Sequence, residues 1–171
     1  PWDDNICNVL YPSEHPYQRL TQEQILGTGG VRTLDALVYN ILIHHLNEGH
    51  PSLAAVELVR KYGSEEEAKK HIVFTTHTPV AAGFDVFSKE LAEQVLGREV
   101  RDYISRLTGR EELNMTRLGI AIASQYFAVS PLHARVSKHI LNGYGNVDEL
   151  FSIDNGVHLP TWSAPEVQKL F

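Results

Sequence analysis

The sequence predicts an α/β fold built around a parallel β-sheet. Short apolar runs rich in β-branched residues alternate with longer segments in which apolar residues recur at a helical period. The segments between the runs are long enough to hold the crossover helices that parallel strands require. Because such sheets are buried on both sides, we expect helices on both faces. The predicted strands are residues 41–46, 71–76, 126–129 and 150–153.

The rest of the chain divides into a first loop and a series of helices. Residues 2–17 are rich in Pro, Asp, Asn and Ser, which predicts a loop. Residues 18–39 have a helical period, yet Gly27, Gly29 and Gly30 lie in the middle, and each glycine weakens a helix. We therefore expect either a break in this helix or the close approach of another segment.

Proline and capping residues mark further helix starts. Pro51 and Pro131 suit the first turn of a helix, and the second helix should extend to about residue 141. Ser64, with Glu67 three residues later, forms a capping box. A further helix should start at Ser88, and Ser163 should cap the last helix. Residues 98–113 should be partly helical, and residues 115–123 should form another helix.

Length and charge limit the possible classes of function. The 171 residues suffice for one domain with a hydrophobic core. The 15 Lys and Arg residues against 21 Asp and Glu residues give a net charge of −6, and without a basic stripe we expect no nucleic-acid binding. No apolar run approaches the roughly 18 residues of a membrane span. The single cysteine, Cys7, excludes an internal disulfide and a cysteine-rich zinc site, and it fits a cytoplasmic location.

Polar residues follow three of the predicted strands. His50 comes after the first strand, His77 after the second and Asn155 after the fourth. In parallel sheets the carboxyl ends of the strands form the edge where ligands bind. We therefore expect these three side chains to face one crevice.

Each of these motifs also has a plainer interpretation. His45, Glu48 and His50 are possible zinc ligands, but they lack the spacing of a helical metal motif, so we favour a polar loop, structural or sugar-binding, and no metal. His44 and His45 should point to opposite faces of their strand, with at least one as a core histidine. The glycines between residues 27 and 30 do not follow a strand, which argues against a phosphate loop.

The segment from Thr75 to Pro79 is the sharpest local pattern. Three threonines and a histidine at a strand end give a dense set of short donors and acceptors, which suits a hydroxyl-rich ligand. The same threonines would equally serve to satisfy a buried turn. Asn155 and Gly156 likewise either turn the chain or present an amide to the crevice.

Six segments, taken in order, resemble the α-glucan phosphorylases of glycogen, starch and maltodextrin metabolism, in particular the short bacterial and archaeal type. They cover nearly the whole chain, and their order makes the resemblance specific. The segments are Asn-Val-Leu-Tyr-Pro at 8–12, Arg-Leu-Thr-Gln-Glu at 19–23, His-Leu-Asn-Glu-Gly-His at 45–50, Phe-Thr-Thr-His-Thr-Pro-Val at 74–80 with Ala-Gly-Phe-Asp-Val-Phe at 82–87, Asn-Met-Thr at 114–116, and Asn-Gly-Val-His-Leu-Pro-Thr-Trp at 155–162.

The resemblance implies a glycosyltransferase B fold, in which two Rossmann-like domains face each other across a cleft. Enzymes of this family cleave α-1,4-linked glucose with inorganic phosphate and release glucose 1-phosphate. Their cofactor, pyridoxal 5′-phosphate, is bound to a lysine of the second domain. On this basis residues 1–171 are part of the N-terminal domain, with a gate loop at about 8–18 and an end near the interdomain crossing, and the C-terminal cofactor domain is absent.

The resemblance also implies roles for single residues. His77 matches a catalytic histidine that bonds the glucose 6-hydroxyl and approaches the anomeric carbon through its backbone carbonyl. Asn155 matches an asparagine that holds sugar hydroxyls, and Glu48 and His50 match residues on the acceptor side. His15 lies in the gate loop where the animal enzymes have an asparagine that contacts the sugar 2-hydroxyl, and Thr78 adjoins His77. Both are expected to bind substrate. No residue of this chain matches a cofactor-binding residue.

The chain begins at Pro1 and stops within a helical pattern at Phe171, so we expect a piece of a longer protein that is inactive alone. The full-length protein would be a cytoplasmic hexosyltransferase and a possible homo-oligomer. Three other functions stay open. They are a nucleotide-sugar glucosyltransferase of the glycogen or starch synthase type, a non-catalytic carbohydrate-binding fragment, and a metal-dependent hydrolase using His45, Glu48 and His50.

Overall fold

The structure is a computed structural model that describes residues 5–10, 12, 14–145 and 147–170. Four parallel strands form the main sheet in the order β1-β2-β5-β6, and two short antiparallel strands, β3 and β4, form a second sheet. The α/β class and the parallel sheet are thus confirmed. The strands are β1 His44–Asn47, β2 Ile72–Thr76, β3 Val86–Phe87, β4 Leu113–Asn114, β5 Gln125–Ala128 and β6 Phe151–Ser152.

Helices fill the connections between the strands. They are α1 Pro16–Gln24, α2 Gly30–Ala36, α3 Ala54–Tyr62, α4 Glu65–Lys69, α5 Lys89–Leu96, α6 Arg98–Thr108, α7 Met115–Ile122, α8 Pro131–Ile140, α9 Leu159–Trp162 and α10 Pro165–Gln168. A π-helical segment, Ile25–Gly29, joins α1 to α2, and 3₁₀ turns span Ala81–Gly83 and Val147–Glu149. Across the described ranges, no helix has both the length and the apolar character needed to cross a membrane.

The packed core lies against one face of the main sheet. Leu46, Phe74 and Tyr126 come from three neighbouring strands and join the core formed by α3, α4, α7 and α8. A second core around Leu20 and Met115 packs α1, α5 and α6 onto the outer side of these helices. Strands added in one direction through right-handed crossovers place their helices on the same face.

The opposite face of the sheet carries more polar and more exposed side chains. His45 is exposed there, while Thr75 and Phe127 are half-buried. The rings of Phe127 and Phe151 lie 6.4 Å apart on this face. Side chains of this face, among them His45, Thr75 and Phe127, line a cleft near the carboxyl ends of the strands.

Several predicted elements differ from the structure. The first strand begins at His44, and two of the three predicted residues before it are exposed, Leu42 at 70% and Ile43 at 51%. The pairing of β1 with β2 begins at His44, whose N–H donates to the carbonyl of His71, just before β2 starts at Ile72. Ser163 ends α9 and does not cap the last helix, which starts at Pro165.

The predicted helix starts at Ser64, Ser88 and Pro131 are confirmed, whereas α3 begins at Ala54, three residues after the predicted start at Pro51. The hydroxyl of Ser64 accepts from the N–H of Glu67 at 3.2 Å, and that of Ser88 accepts from Leu91 at 3.2 Å. Asn114 caps α7 in the same way. The small sheet of β3 and β4 was not predicted, since two-residue strands are too short to show a period of two.

A close approach of the backbone explains one of the three glycines in the helical pattern, Gly27. A Cβ atom at this position would lie 2.6 Å from the backbone nitrogen of Ala54 and 2.9 Å from the carbonyl oxygen of Pro51. The π-helical turn therefore lies directly against the start of α3. The predicted close approach is confirmed at Gly27, whereas Gly30 has open space around it.

We expect Gly27→Ala to lower the free energy of unfolding by about 1–3 kcal/mol, the usual cost of forcing an extra methyl group into packed structure. Gly30→Ala is the matched control, because Gly30 has helical φ of −58° and an added Cβ meets nothing within 4 Å. That variant should gain up to about 1 kcal/mol. Urea unfolding of both variants measures the difference, and equal effects would contradict this account of the turn.

Candidate functional site

A cleft of about 390 Å³ opens at the carboxyl ends of β1, β2 and β5. We call it the sheet-edge cleft. Asn47, Thr75 and His77 line one side, and Ile153, Asn155 and Gly156 line the other. Two of the three predicted strand-end residues, His77 and Asn155, therefore share one cleft.

The sheet register positions these residues. Asn47 lies beside Thr75 in the pairing of β1 with β2, which brings the two strand ends level. On the other side, the N–H of Ile153 donates to the carbonyl of Ala128 at 2.9 Å. This bond extends β6 along β5 and carries the loop with Asn155 to the same edge.

His77 is held by contacts to both its ring and its backbone. Its Nε2 lies 2.9 Å from Oδ1 of Asn47, and its backbone N–H donates to Oε2 of Glu48 at 2.6 Å. The imidazole itself is exposed at the cleft. An exposed ring with a fixed backbone and a fixed ring nitrogen is suited to present one polar atom to a ligand.

Glu48 lies beneath His77 and is 7% exposed. Besides the His77 N–H, its carboxylate accepts a longer bond from the hydroxyl of Thr76, at 3.4 Å. Glu48 has a φ of +68°, a left-handed conformation that is uncommon for a residue with a side chain. A loop is predicted at residues 47–50, but its left-handed conformation at Glu48 is not, and Glu48 does not line the sheet-edge cleft.

His133, which sequence reasoning missed, supports the end of β5. Its Nδ1 accepts from the N–H of Val129 at 3.3 Å, and its Nε2 lies 3.3 Å from the hydroxyl of Ser137. Burial lowers the pKa of His133, while the charge of Glu48 opposes this shift. The one local signal for this arrangement is Ser130, which caps α8 by accepting a hydrogen bond from the N–H of His133.

His50 is in a different place, in a group with Arg19, Glu23 and Asp85 that we call the Arg19 cluster. Nη2 of Arg19 donates to Oδ2 of Asp85 at 2.7 Å, and its Nε lies 3.1 Å from Oε1 of Glu23. Nε2 of His50 lies 3.7 Å from Oδ2 of Asp85. The prediction that His50 shares a crevice with His77 and Asn155 is therefore wrong, because the chain turns away from the sheet at Glu48, whose φ is +68°.

Burial and charge shift the pKa values of the Arg19 cluster in different directions. Burial, together with the charge of Asp85, raises the pKa of Glu23 to about 9. Burial would also raise the pKa of Asp85, but hydrogen bonds from Arg19 and Glu23 outweigh it and hold that pKa below its ordinary value. Burial and the neighbouring Arg19 lower the pKa of His50. At neutral pH the cluster holds one ion pair, one protonated carboxyl and a neutral imidazole.

One group within the described part of the chain has the geometry of a metal site. Ligand atoms of Glu23, His50 and Asp85 lie within 4.8 Å of one another. The guanidinium of Arg19 already contacts both carboxyl groups and supplies the positive charge that a metal would bring. The group considered from the sequence, His45 with Glu48 and His50, is not among the clusters with this geometry.

Of the remaining candidates, His45 lines the sheet-edge cleft, whereas His15, His44 and Thr78 lie outside it. His15 is exposed just before α1 and makes no side-chain capping bond. Thr78 packs its methyl group against Gly83, in the turn before β3. His44 and His45 do lie on opposite faces, since His44 is buried while His45 is exposed and lies 2.7 Å through its Nε2 from the Thr75 hydroxyl. Tyr11 and Ser13, within the predicted gate loop, lie outside the described residues.

Comparison with known proteins agrees with the resemblance seen in the motifs, although no family model matches the chain. The maltodextrin phosphorylase of Thermococcus litoralis is 37% identical over 99% of this chain and 22% of its own length. The glycogen phosphorylase of Mycobacterium tuberculosis is 32% identical over 95% of the chain and 23% of its length. The glycogen phosphorylase of Aquifex aeolicus is 29% identical over the whole chain and 28% of its length.

The fold and the site define the class as an α/β chain with a cleft at the carboxyl edge of a parallel sheet. Within that class, the chain is homologous to a segment of the α-glucan phosphorylases. It spans about a quarter of the length of these relatives.

Proposed function

We propose that this chain supplies the glucose-binding side of the active site in an α-1,4-glucan phosphorylase, a retaining hexosyltransferase that releases glucose 1-phosphate. The observation that carries the proposal is the shared cleft of His77 and Asn155. These two residues stand 78 positions apart in the printed sequence and come from motifs that both match the family. The names of the relatives favour phosphorolysis over the nucleotide-sugar transfer that we also considered.

The chemistry of the cleft suits a sugar. The Asn155 amide offers a donor and an acceptor, and the His77 imidazole offers one polar atom beyond its bond to Asn47. Polar groups of this kind, paired with ligand hydroxyls, are left unsatisfied by a ligand that lacks them, which gives selectivity. In this proposal His77 and Asn155 bind and orient the terminal glucose. The binding sites for the glucan, for phosphate and for glucose 1-phosphate would include residues outside this chain.

Pyridoxal 5′-phosphate in such enzymes supplies a phosphate group that moves a proton to and from the substrate phosphate. The cofactor needs a lysine for its covalent link. The side chains that line the sheet-edge cleft include no lysine and no arginine. We therefore assign no residue of this chain to the cofactor and derive no step of the reaction through it.

Binding of maltoheptaose to the 171-residue chain tests the proposal. In a titration followed by ¹H–¹⁵N NMR, we expect the shifts to change at residues lining the sheet-edge cleft. Asn155→Ala and His77→Ala should each raise Kd about tenfold, which corresponds to about 1.4 kcal/mol for a lost polar contact.

Gln125→Ala is the matched control, because Gln125 is exposed in β5 and lies outside the cleft. It should leave Kd unchanged. Shifts confined to other surfaces, or equal affinity in the Asn155 and control variants, would overturn the assignment of the cleft. The non-catalytic carbohydrate-binding alternative predicts the same binding, so release of glucose 1-phosphate by a chimaera separates the two. In it, the chain replaces the homologous segment of the Thermococcus litoralis enzyme.

A further inference from the structure

The hydrogen bond between Asn47 and His77 determines which ring nitrogen of a neutral His77 carries the proton. The side-chain oxygen of Asn47, Oδ1, lies 2.9 Å from Nε2 of His77. An amide oxygen is an acceptor only, so the hydrogen between the two atoms belongs to Nε2. A neutral imidazole carries a single N–H, and its other nitrogen is then an acceptor. Nδ1 of His77 therefore carries a lone pair.

The surroundings leave this lone pair available to the cleft. No bond to Nδ1 of His77 is formed by any residue in the described ranges, and the ring is exposed at the cleft wall. The backbone N–H of His77 is tied to Glu48, so the ring cannot shift away as a unit with its main chain. Asn47 itself is fixed by the pairing of β1 with β2, at the position beside Thr75.

We propose that Asn47 is a positioning residue: it fixes His77 in the Nε2–H tautomer and turns Nδ1 toward the sheet-edge cleft, where it accepts a hydrogen bond from a ligand hydroxyl. The ligand part of this proposal rests on the proposed function, whereas the tautomer part does not. Asn47 acts through His77 and needs no contact with the ligand.

The charge beneath His77 points to the same class of ligand. The carboxylate of Glu48 lies 2.6 Å from the His77 backbone nitrogen, and the lining of the cleft adds Asp154 and no Lys or Arg. An anionic ligand would meet a lone pair and two negative charges, which repel it. A neutral polyol donates a hydroxyl hydrogen to Nδ1 at no such cost. This side of the cleft therefore favours a neutral hydroxyl donor at Nδ1 of His77.

The test uses the free 171-residue chain and needs no ligand at first. Long-range ¹H–¹⁵N NMR of the histidine rings at about pH 9, where an ordinary imidazole is neutral, locates the ring proton of His77. We expect it on Nε2, and we expect hydrogen bonding to slow its exchange with water. Asn47→Ala should speed this exchange at least tenfold, and Asn47→Asp, which keeps the acceptor oxygen, should restore slow exchange. Gln125→Ala should behave as the wild type.

Maltoheptaose titration of the same variants gives the second readout. Loss of one positioning bond should raise Kd about three- to tenfold in Asn47→Ala, with recovery in Asn47→Asp and no change in the melting temperature of either. A proton on Nδ1, or exchange unchanged by Asn47→Ala, overturns the positioning role even if sugar binds. A proton on Nε2 with no binding of maltoheptaose leaves the positioning role standing and counts against the proposed function instead.

Discussion

Replacing Arg19 with leucine should lower the free energy of unfolding by about 3–5 kcal/mol, the usual cost of removing one partner from a buried ion pair. Arg19 is only 9% exposed and contacts the carboxyl groups of both Asp85 and Glu23. Without the guanidinium, the ionised carboxylate of Asp85 stays half-buried with no cation beside it. The bond between Arg19 and Asp85 also ties α1 to the turn before β3, 66 residues further along the chain.

Arg32→Leu is the matched control for this prediction. Arg32 forms an ion pair of the same kind with Glu57 at 2.9 Å, but its side chain is 60% exposed. Exposed pairs contribute only about 0–1 kcal/mol because water screens them. Urea unfolding at pH 7 compares the two variants. The double variant Arg19→Leu/Asp85→Asn should regain part of the loss, since the uncompensated charge is gone. Equal losses from Arg19→Leu and Arg32→Leu would contradict the buried-pair account.

The parallel sheet could be predicted from sequence because its signals are local. Val73 and its neighbours form an apolar, β-branched run, and Ser64 and Ser88 cap helices through residues three positions away. The errors occur where pairing with a distant segment decides the outcome. Leu42 and Ile43 are apolar, yet they stay exposed because β2 offers no partner to them. The β3–β4 pair depends on a contact between Phe87 and Leu113 that no local period reveals.

The candidate site was predictable only in part, for the same reason. His77 follows β2 directly, and Asn155 lies three residues after β6, on a loop that continues along the same edge, so their meeting follows from the topology of a parallel sheet. His50 stands only three residues after its strand, but the left-handed turn at Glu48 sends it to Arg19 and Asp85. The buried positions of Glu48 and His133 depend on side-chain contacts across the sheet edge. A single sequence carries no signal for such contacts.

Replacing Glu23 with glutamine should remove most of the pH dependence of stability between pH 7 and pH 9. Burial raises the pKa of Glu23 from its ordinary value of 4.5 to about 9. Between these values the folded chain holds a proton that the unfolded chain has released, so stability falls as the pH rises. The slope is at most about 1.4 kcal/mol per pH unit, and the wild type should lose up to about 2–3 kcal/mol over this window.

His50, Asp85 and Tyr103 also have shifted pKa values, but they change their charge mostly outside pH 7–9. The slope of stability over this range therefore reports on Glu23. Burial lowers the pKa of His50, and hydrogen bonds from Arg19 and Glu23 outweigh burial and lower the pKa of Asp85, so most of the charge change of both groups occurs below pH 7. Burial raises the pKa of Tyr103 to about 12, which affects stability only above about pH 10. Urea unfolding at pH 7, 8 and 9 measures the slope. Glu67→Gln, at an exposed carboxylate whose pKa is lowered by Lys70, should keep the wild-type slope. If Glu23→Gln also keeps it, then Glu23 is ionised in the folded chain, and the Arg19 cluster holds two carboxylates against one guanidinium.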